Sequence, residues 1–175
     1  MVKGCQKANR RSQEEVFRLY SDQMFRISYR YTRNQPEAED VMIRSFTKVF
    51  EQIASFQFRG DGSLAAWIRK IVVNESLMWL RRTHNFRMTE SIEDRMLPVD
   101  LSQANRLSED DIYKLVTQLP TGYRTVFNLA VVEGYNHQEV AELLGIEEST
   151  SRSQLFKAKN MLKVLLAKEG LHFGT

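Results

Sequence analysis

Ser149, Thr150, Arg152, Ser153, Gln154 and Lys157 crowd the start of one helical stretch, and together they carry the donors and acceptors that meet nucleic acid. Arginine can pair with guanine, and glutamine with adenine, through two parallel hydrogen bonds, while lysine serves a phosphate as a point charge. The segment in front of them supplies what such a face needs. Asn136 and Glu139 have the spacing of a capping box at the start of a short helix that carries Val140, Leu143 and Leu144. Ala141 is small where two helices would cross closely, Gly145 stands where the turn needs a left-handed backbone, and the apolar Ile146 follows. Helix, short glycine turn and second helix make the pattern of a helix-turn-helix, whose second helix lays its first residues on base edges. Leu155, Ala158 and Leu162 would then face inward. The same residues also fit a plain helical hairpin with a solvated polar face.

No spacing points to catalysis. His84, His137 and His172 are far apart, His137 has no pair of carboxylates set with it on one helical face, and Cys5 has no evident partner. A phosphate-binding glycine loop is also missing. The expectation is a binding protein with no catalytic residues, no metal and no cofactor.

The elements that must hold these groups read as helices throughout. The chain has 175 residues, 42% hydrophobic and 27% charged, enough for one ordinary domain or two small ones. The net charge of +3 is unevenly spread. Residues 1–83 hold 15 Lys/Arg against 9 Asp/Glu, residues 84–111 hold 3 against 7, and residues 112–175 hold 7 against 6. A basic first segment suits a polyanion such as DNA, although a solvated surface with a small surplus reads the same way. The lone cysteine fits a reducing compartment, no apolar run is long enough to span a membrane, and the first residues lack the apolar stretch of a signal peptide. These features imply a cytoplasmic protein without membrane insertion.

Pro36, Pro98 and Pro120 lie outside the periodic apolar stretches and mark joints. Val16, Phe17, Tyr20, Met24, Ile27 and Tyr31 predict a helix from about Gln13 to Thr32. Asn34 and Glu37 form a second capping-box spacing, with Pro36 in the first turn, ahead of Val41, Met42, Phe46, Val49, Phe50 and Ile53. A loop from Ser55 to Gly62 follows, and Ser63 is the expected cap of a third helix running to about Arg82, with Leu64, Trp67, Ile68, Ile71 and Val72 as its inner stripe. Residues 84–108 are polar and acidic and read as a flexible linker. After it, Glu109, Asp110 and Asp111 suit a helix start. That helix ends at Pro120, a second spans about Gly122 to Glu133, and the helix-turn-helix completes the chain. The expected fold class is all-α, with two small helical domains, 1–83 and 109–175, joined by the linker 84–108.

Both halves resemble one family. Leu119 to Leu162 (LPTGYRTVFNLAVVEGYNHQEVAELLGIEESTSRSQLFKAKNML) is similar to region four of extracytoplasmic-function sigma factors of the sigma-70 family. Glu37 to Val41 (EAEDV) followed by Phe46 to Phe50 (FTKVF) resembles the polymerase-binding helix of region two, and Phe58-Arg59-Gly60, Ser63 to Ile68 (SLAAWI), Asn74 and Leu80-Arg81-Arg82 resemble its promoter-melting segment. The two resemblances occur in the family's order and cover roughly residues 13–83 and 109–166.

The resemblance implies a promoter-specific initiation factor. Region two would dock on the beta-prime coiled coil of core RNA polymerase through Asp40, Phe46 and Lys48. Its loop would capture a flipped base of the minus-ten element, with Phe58 stacking and Arg59, Ser63, Arg69, Lys70 and Asn74 on the DNA. Region four would read the minus-thirty-five element with the helix-turn-helix residues above and touch the beta flap. An anti-sigma factor is an expected further partner. Phe58 can equally anchor its own loop, and Trp67 fits core better than a base platform. Ile43 and Arg44 stand where the family has Gln and an acidic residue, Met78 where it often has Asp, Ser151 where Val is common, and Glu147 at the usual cap. Those departures leave a second reading, a stand-alone helix-turn-helix regulator that does not dock on polymerase.

Overall fold

The computed structural model describes residues 1–83 and 109–168, and among them every regular element is helical. The expected linker at 84–108, with His84 and Pro98 in it, and His172 lie outside the described residues. The chain divides into two compact units, Met1–Asn85 and Phe86–Thr175.

The first unit comprises α1 (Val2–Gln6), α2 (Arg10–Thr32), α3 (Gln35–Gln52), a single 3-10 turn (Ile53–Ser55) and α4 (Ser63–Thr83). Helix α2 starts earlier than apolar periodicity suggests, because the Asn9 side chain accepts from the Ser12 amide at 3.0 Å and caps the helix at Arg10. Helix α1 is too short for periodicity to reveal it. Val16, Met24, Ile27 and Tyr31 of α2 pack with Val41, Phe46 and Val49 of α3 and Leu64, Ile68, Val72, Leu77 and Leu80 of α4. Fully burying one such aliphatic side chain contributes about 1.5–3 kcal/mol. Each helix also buries a serine, Ser28, Ser45 and Ser76, all at 0% exposure. Each hydroxyl donates to the carbonyl four residues back, at 3.1, 2.7 and 2.8 Å, so these small side chains need no partner from another helix.

Polar ties cross from α3 to α4. The Trp79 indole N–H donates to Glu37 Oε2 at 2.6 Å, and the Lys48 ammonium pairs with the Glu75 carboxylate. The first of these corrects the expected capping box. Asn34 does accept from the Glu37 amide at 3.1 Å, but the carboxylate that should reach back to the cap is engaged by Trp79 instead.

The second unit comprises α5 (Glu109–Gln118), α6 (Thr121–Phe127), a π-helical turn (Asn128–Val132), α7 (His137–Leu144) and α8 (Glu148–Lys168). The sequence predicts one helix over Gly122 to Glu133. The backbone instead widens after Phe127, with the Glu133 amide donating to the Asn128 carbonyl at 2.9 Å. Leu115, Val116, Leu119, Tyr123 and Phe127 meet Ala158, Leu162 and Leu166 of α8 in one core. The buried Arg124 guanidinium donates to the Leu119 carbonyl at 2.8 Å, so a cation meets the freed carbonyls just past the end of α5. Among the described residues no helix is long and apolar enough to cross a membrane.

Candidate nucleic-acid interface

The helix-turn-helix forms as its residues dictate. Asn136 accepts from the Glu139 amide at 2.9 Å and Glu139 Oε2 accepts from the Asn136 amide at 2.8 Å, so both halves of this capping box close at the head of α7. Gly145 takes the left-handed conformation at φ 67° that ends α7, and the Ile146 amide then reaches back to the Ala141 carbonyl at 3.1 Å. The turn is tied from a second side as well. His137 Nδ1 and Ser151 Oγ lie 2.9 Å apart, linking the first residue of α7 to the second turn of α8. Ser151 is fully buried, on the inner stripe with Ala158 and Leu162.

Of the expected reading residues, Ser149, Arg152 and Ser153 are exposed, and Thr150 and Lys157 are half-exposed. The Arg152 guanidinium pairs with the Glu148 carboxylate one turn back, which holds the arginine along the helix face. Gln154 is a correction. It is 8% exposed, because three-residue spacing from Ser151 and four-residue spacing to Ala158 put it on the inner stripe, away from a base edge. Phe156, which polarity alone passes over, is 56% exposed in the middle of the outward face, one turn beyond Arg152 and three residues beyond Ser153. Following the exposed stripe one turn further would have found it.

In the first unit the loop after the 3-10 turn is built from both ends. Phe56 is 8% exposed and its ring sits 5.0 Å from that of Trp67, so Trp67 is occupied as packing for the loop base. Gly60 and Gly62 take φ of 103° and 81°, which L side chains rarely adopt. Ser63 does not cap α4 as expected. It is the first residue of α4, and its hydroxyl donates to the Gly60 carbonyl at 2.7 Å while accepting from the Arg59 amide at 3.2 Å. The hydroxyl thus clasps the loop shut. Phe58 at the loop's crest is 61% exposed, and Arg59 is exposed beside it.

Along α4, Ser63, Lys70 and Asn74 fall on one stripe, seven and eleven residues apart from the first, and Lys70 and Asn74 are exposed. Arg69 is half-buried and sits about 100° round the helix from Lys70, so it does not join that stripe.

On α3, Asp40 is exposed and shares an outward face with Ile43, which is 55% exposed, Arg44 and Thr47. Phe46 is a correction. It is 3% exposed, with its ring 4.8 Å from Phe17 and 6.0 Å from Phe50, on the core stripe of Met42 and Val49. Lys48 is half-buried and tied to Glu75. Cys5 is buried, and burial pushes its thiol up, so it stays protonated near neutrality.

Comparison with known proteins bears on both units. Residues 16–86 match the model of Sigma-70 region 2, and residues 109–162 match that of Sigma-70, region 4. The chain is 28% identical over 163 residues to the ECF RNA polymerase sigma factor SigE of Mycolicibacterium smegmatis, covering 90% of this chain and 62% of that protein. It is 22% identical over 152 residues to the RNA polymerase sigma factor SigV of Bacillus subtilis, covering 87% of this chain and 89% of that protein. Its fold is similar to that of the sigma factor RpoE solved with the anti-sigma factor NepR from Bartonella quintana, with a TM-score of 0.52, 21% identity, and coverage of 88% and 96%. Two sigma regions in family order, one per unit, with relatives of that kind along most of the chain, make it a member of the sigma-70 family of RNA polymerase sigma factors, in the extracytoplasmic-function group.

Proposed function

We propose that the chain docks on core RNA polymerase and directs it to promoters by opening the minus-ten element with residues 1–83 and reading the minus-thirty-five element with residues 109–175, the segment 84–108 joining the two tasks. It supplies binding energy alone, and the polymerase carries out the chemistry of RNA synthesis in the cytoplasm.

The observation that carries this reading is the pairing of a clasped loop, crested by the exposed Phe58 and Arg59, with a separate unit whose α8 turns Ser149, Arg152, Ser153 and Phe156 outward. Phe58 stacks on an unstacked base, Arg59, Lys70 and Asn74 follow its strand, and Ser63 acts through the loop it closes. On α8, Arg152 and Ser153 meet base edges, Phe156 suits a thymine methyl, and Thr150 and Lys157 hold phosphates. Asp40, Ile43 and Arg44 form the docking face toward the beta-prime coiled coil, with the second unit against the beta flap. The exposed Ile43 makes that contact more apolar than the family pattern. An anti-sigma factor would cover the same faces when the factor is held inactive.

A stand-alone regulator has no use for the first unit's clasped loop, and the match to region 2 favours the sigma reading. Gel filtration with core polymerase, followed by run-off transcription from a promoter selected with this protein, tests it. Co-elution and a discrete transcript are expected. Binding to a DNA site without any association with core would overturn the reading.

A further inference from the structure

Helix α1 belongs to none of the family segments above, yet it is fixed to the first unit by three separate contacts. Gly4 lies against α2 so closely that a Cβ there would stand 2.0 Å from Ser12 Oγ and 2.8 Å from Ser12 Cβ. Cys5 is 2% exposed. Gln6 Nε2 donates to the Phe56 carbonyl at 3.0 Å, across fifty residues of sequence. The reversal that makes this possible is also built in. Ala8 takes the left-handed conformation at φ 54°, unusual for a residue with a side chain, and Asn9 immediately caps α2. The carbonyl that Gln6 holds belongs to the residue whose ring packs, tilted, against that of Trp67, two positions before Phe58.

We infer that α1 is a strut for the DNA-melting loop, and that Gln6 is a positioning residue that fixes the Phe56 backbone and thereby the aim of Phe58 and Arg59. The inference rests on the base-capturing role proposed for that loop. Phe56 is held at its ring by Trp67 and at its carbonyl by Gln6, while Ser63 pins the far end of the loop at Gly60. On the Phe56 side the Phe56 amide also donates to the Ile53 carbonyl at 3.1 Å, and the crest between the two anchors, Phe58 and Arg59, is exposed. Pre-setting the loop before DNA arrives lowers the ordering cost of capture.

The test uses the full chain with core polymerase and a promoter selected with that pair, carrying 2-aminopurine in the minus-ten element. Gln6→Glu keeps the shape and removes the N–H donor, Gln6→Lys keeps a donor, and Gly4→Val drives α1 off Ser12. Gln6 is exposed, so its variants should fold, and thermal denaturation of each checks that they do. Alkylation of Cys5, the chain's only thiol, reports whether α1 has lifted, with Gly4→Val labelled faster than the parent. Open-complex formation should fall about two- to tenfold in Gln6→Glu, the range of one net hydrogen bond, and be retained in Gln6→Lys. Core binding and affinity for the minus-thirty-five site should stay unchanged. Normal opening by Gln6→Glu and Gly4→Val while Phe58→Ala is defective would overturn the strut and leave the loop's role intact. Normal opening by Phe58→Ala would instead remove the role on which the strut depends.

Discussion

The two units present the groups proposed to meet DNA in opposite ways. In the second, the outward residues ride on one regular helix, and their spacing follows from helix geometry once the inner stripe of α8 is packed. In the first, Phe58 and Arg59 sit on a loop whose shape depends on α1, α4 and the 3-10 turn at once, through Gln6, Trp67 and Ser63. A helix face is a local object, whereas a clasped loop is a tertiary one. Substitutions should therefore act on the second unit through packing and side-chain chemistry, and on the first through remote anchors as well.

The largest effect should come from the core beneath the reading helix. Leu162→Ala removes a buried side chain that joins α8 to α5 and α6 and should destabilise the second unit by about 2–5 kcal/mol. Binding to the minus-thirty-five site should fail before docking through the first unit does. Thermal denaturation with pull-down on core polymerase checks this, and equal loss of both activities would mean that the units do not act separately.

Next comes Arg152→Ala, expected to cost about 1–3 kcal/mol at one promoter position if the arginine reads a guanine. Binding titrations against single-base promoter variants decide the matter. An equal loss on every sequence would make Arg152 a phosphate contact and blunt the contrast, since neither unit would then carry direct readout at that site. Phe58→Ala belongs to the same range, about 1–3 kcal/mol for a stacked base. Its loss should appear in promoter opening and leave duplex binding at the minus-thirty-five site unchanged, as measured by fluorescence on forked and duplex templates.

The same contrast explains what could be read in the sequence. The two-unit helical plan, the Asn136–Glu139 box, the Gly145 turn and the inward Ala158 and Leu162 all follow from local spacing, and each is found where expected. The family resemblance holds in both halves. The departures share a physical cause, which is that a residue's type does not fix its place on the stripe. Gln154 looks like a base reader by type but shares the inner stripe with Ser151 and Ala158, and Phe46 looks like a docking residue by motif but is three and four residues from Val49 and Met42. Other misses needed contacts distant in sequence. Glu37 turns to Trp79, forty-two positions away, and α1 is too brief for any periodic signal.

The smallest predicted effect separates the units most finely. In the first unit the buried serines Ser28, Ser45 and Ser76 all bond to carbonyls of their own helices, so their hydroxyls fix no angle between helices. Ser151 is equally buried, but its hydroxyl meets His137 Nδ1 on the neighbouring helix. Ser45→Ala should thus be close to neutral, because the carbonyl it leaves keeps its helical amide partner. Ser151→Ala should cost about 1 kcal/mol in stability, because it deprives a half-buried ring nitrogen of its partner, and it should also loosen minus-thirty-five binding by letting α7 and α8 shift. Ser151→Val should cost more than Ser151→Ala, since a methyl cannot sit 2.9 Å from a ring nitrogen and the histidine must move. Denaturant titrations of the three variants, with promoter binding measured alongside, order them. Equal costs for Ser45→Ala and Ser151→Ala, with unchanged DNA affinity in both, would show that the histidine tie contributes nothing to the setting of the reading helix.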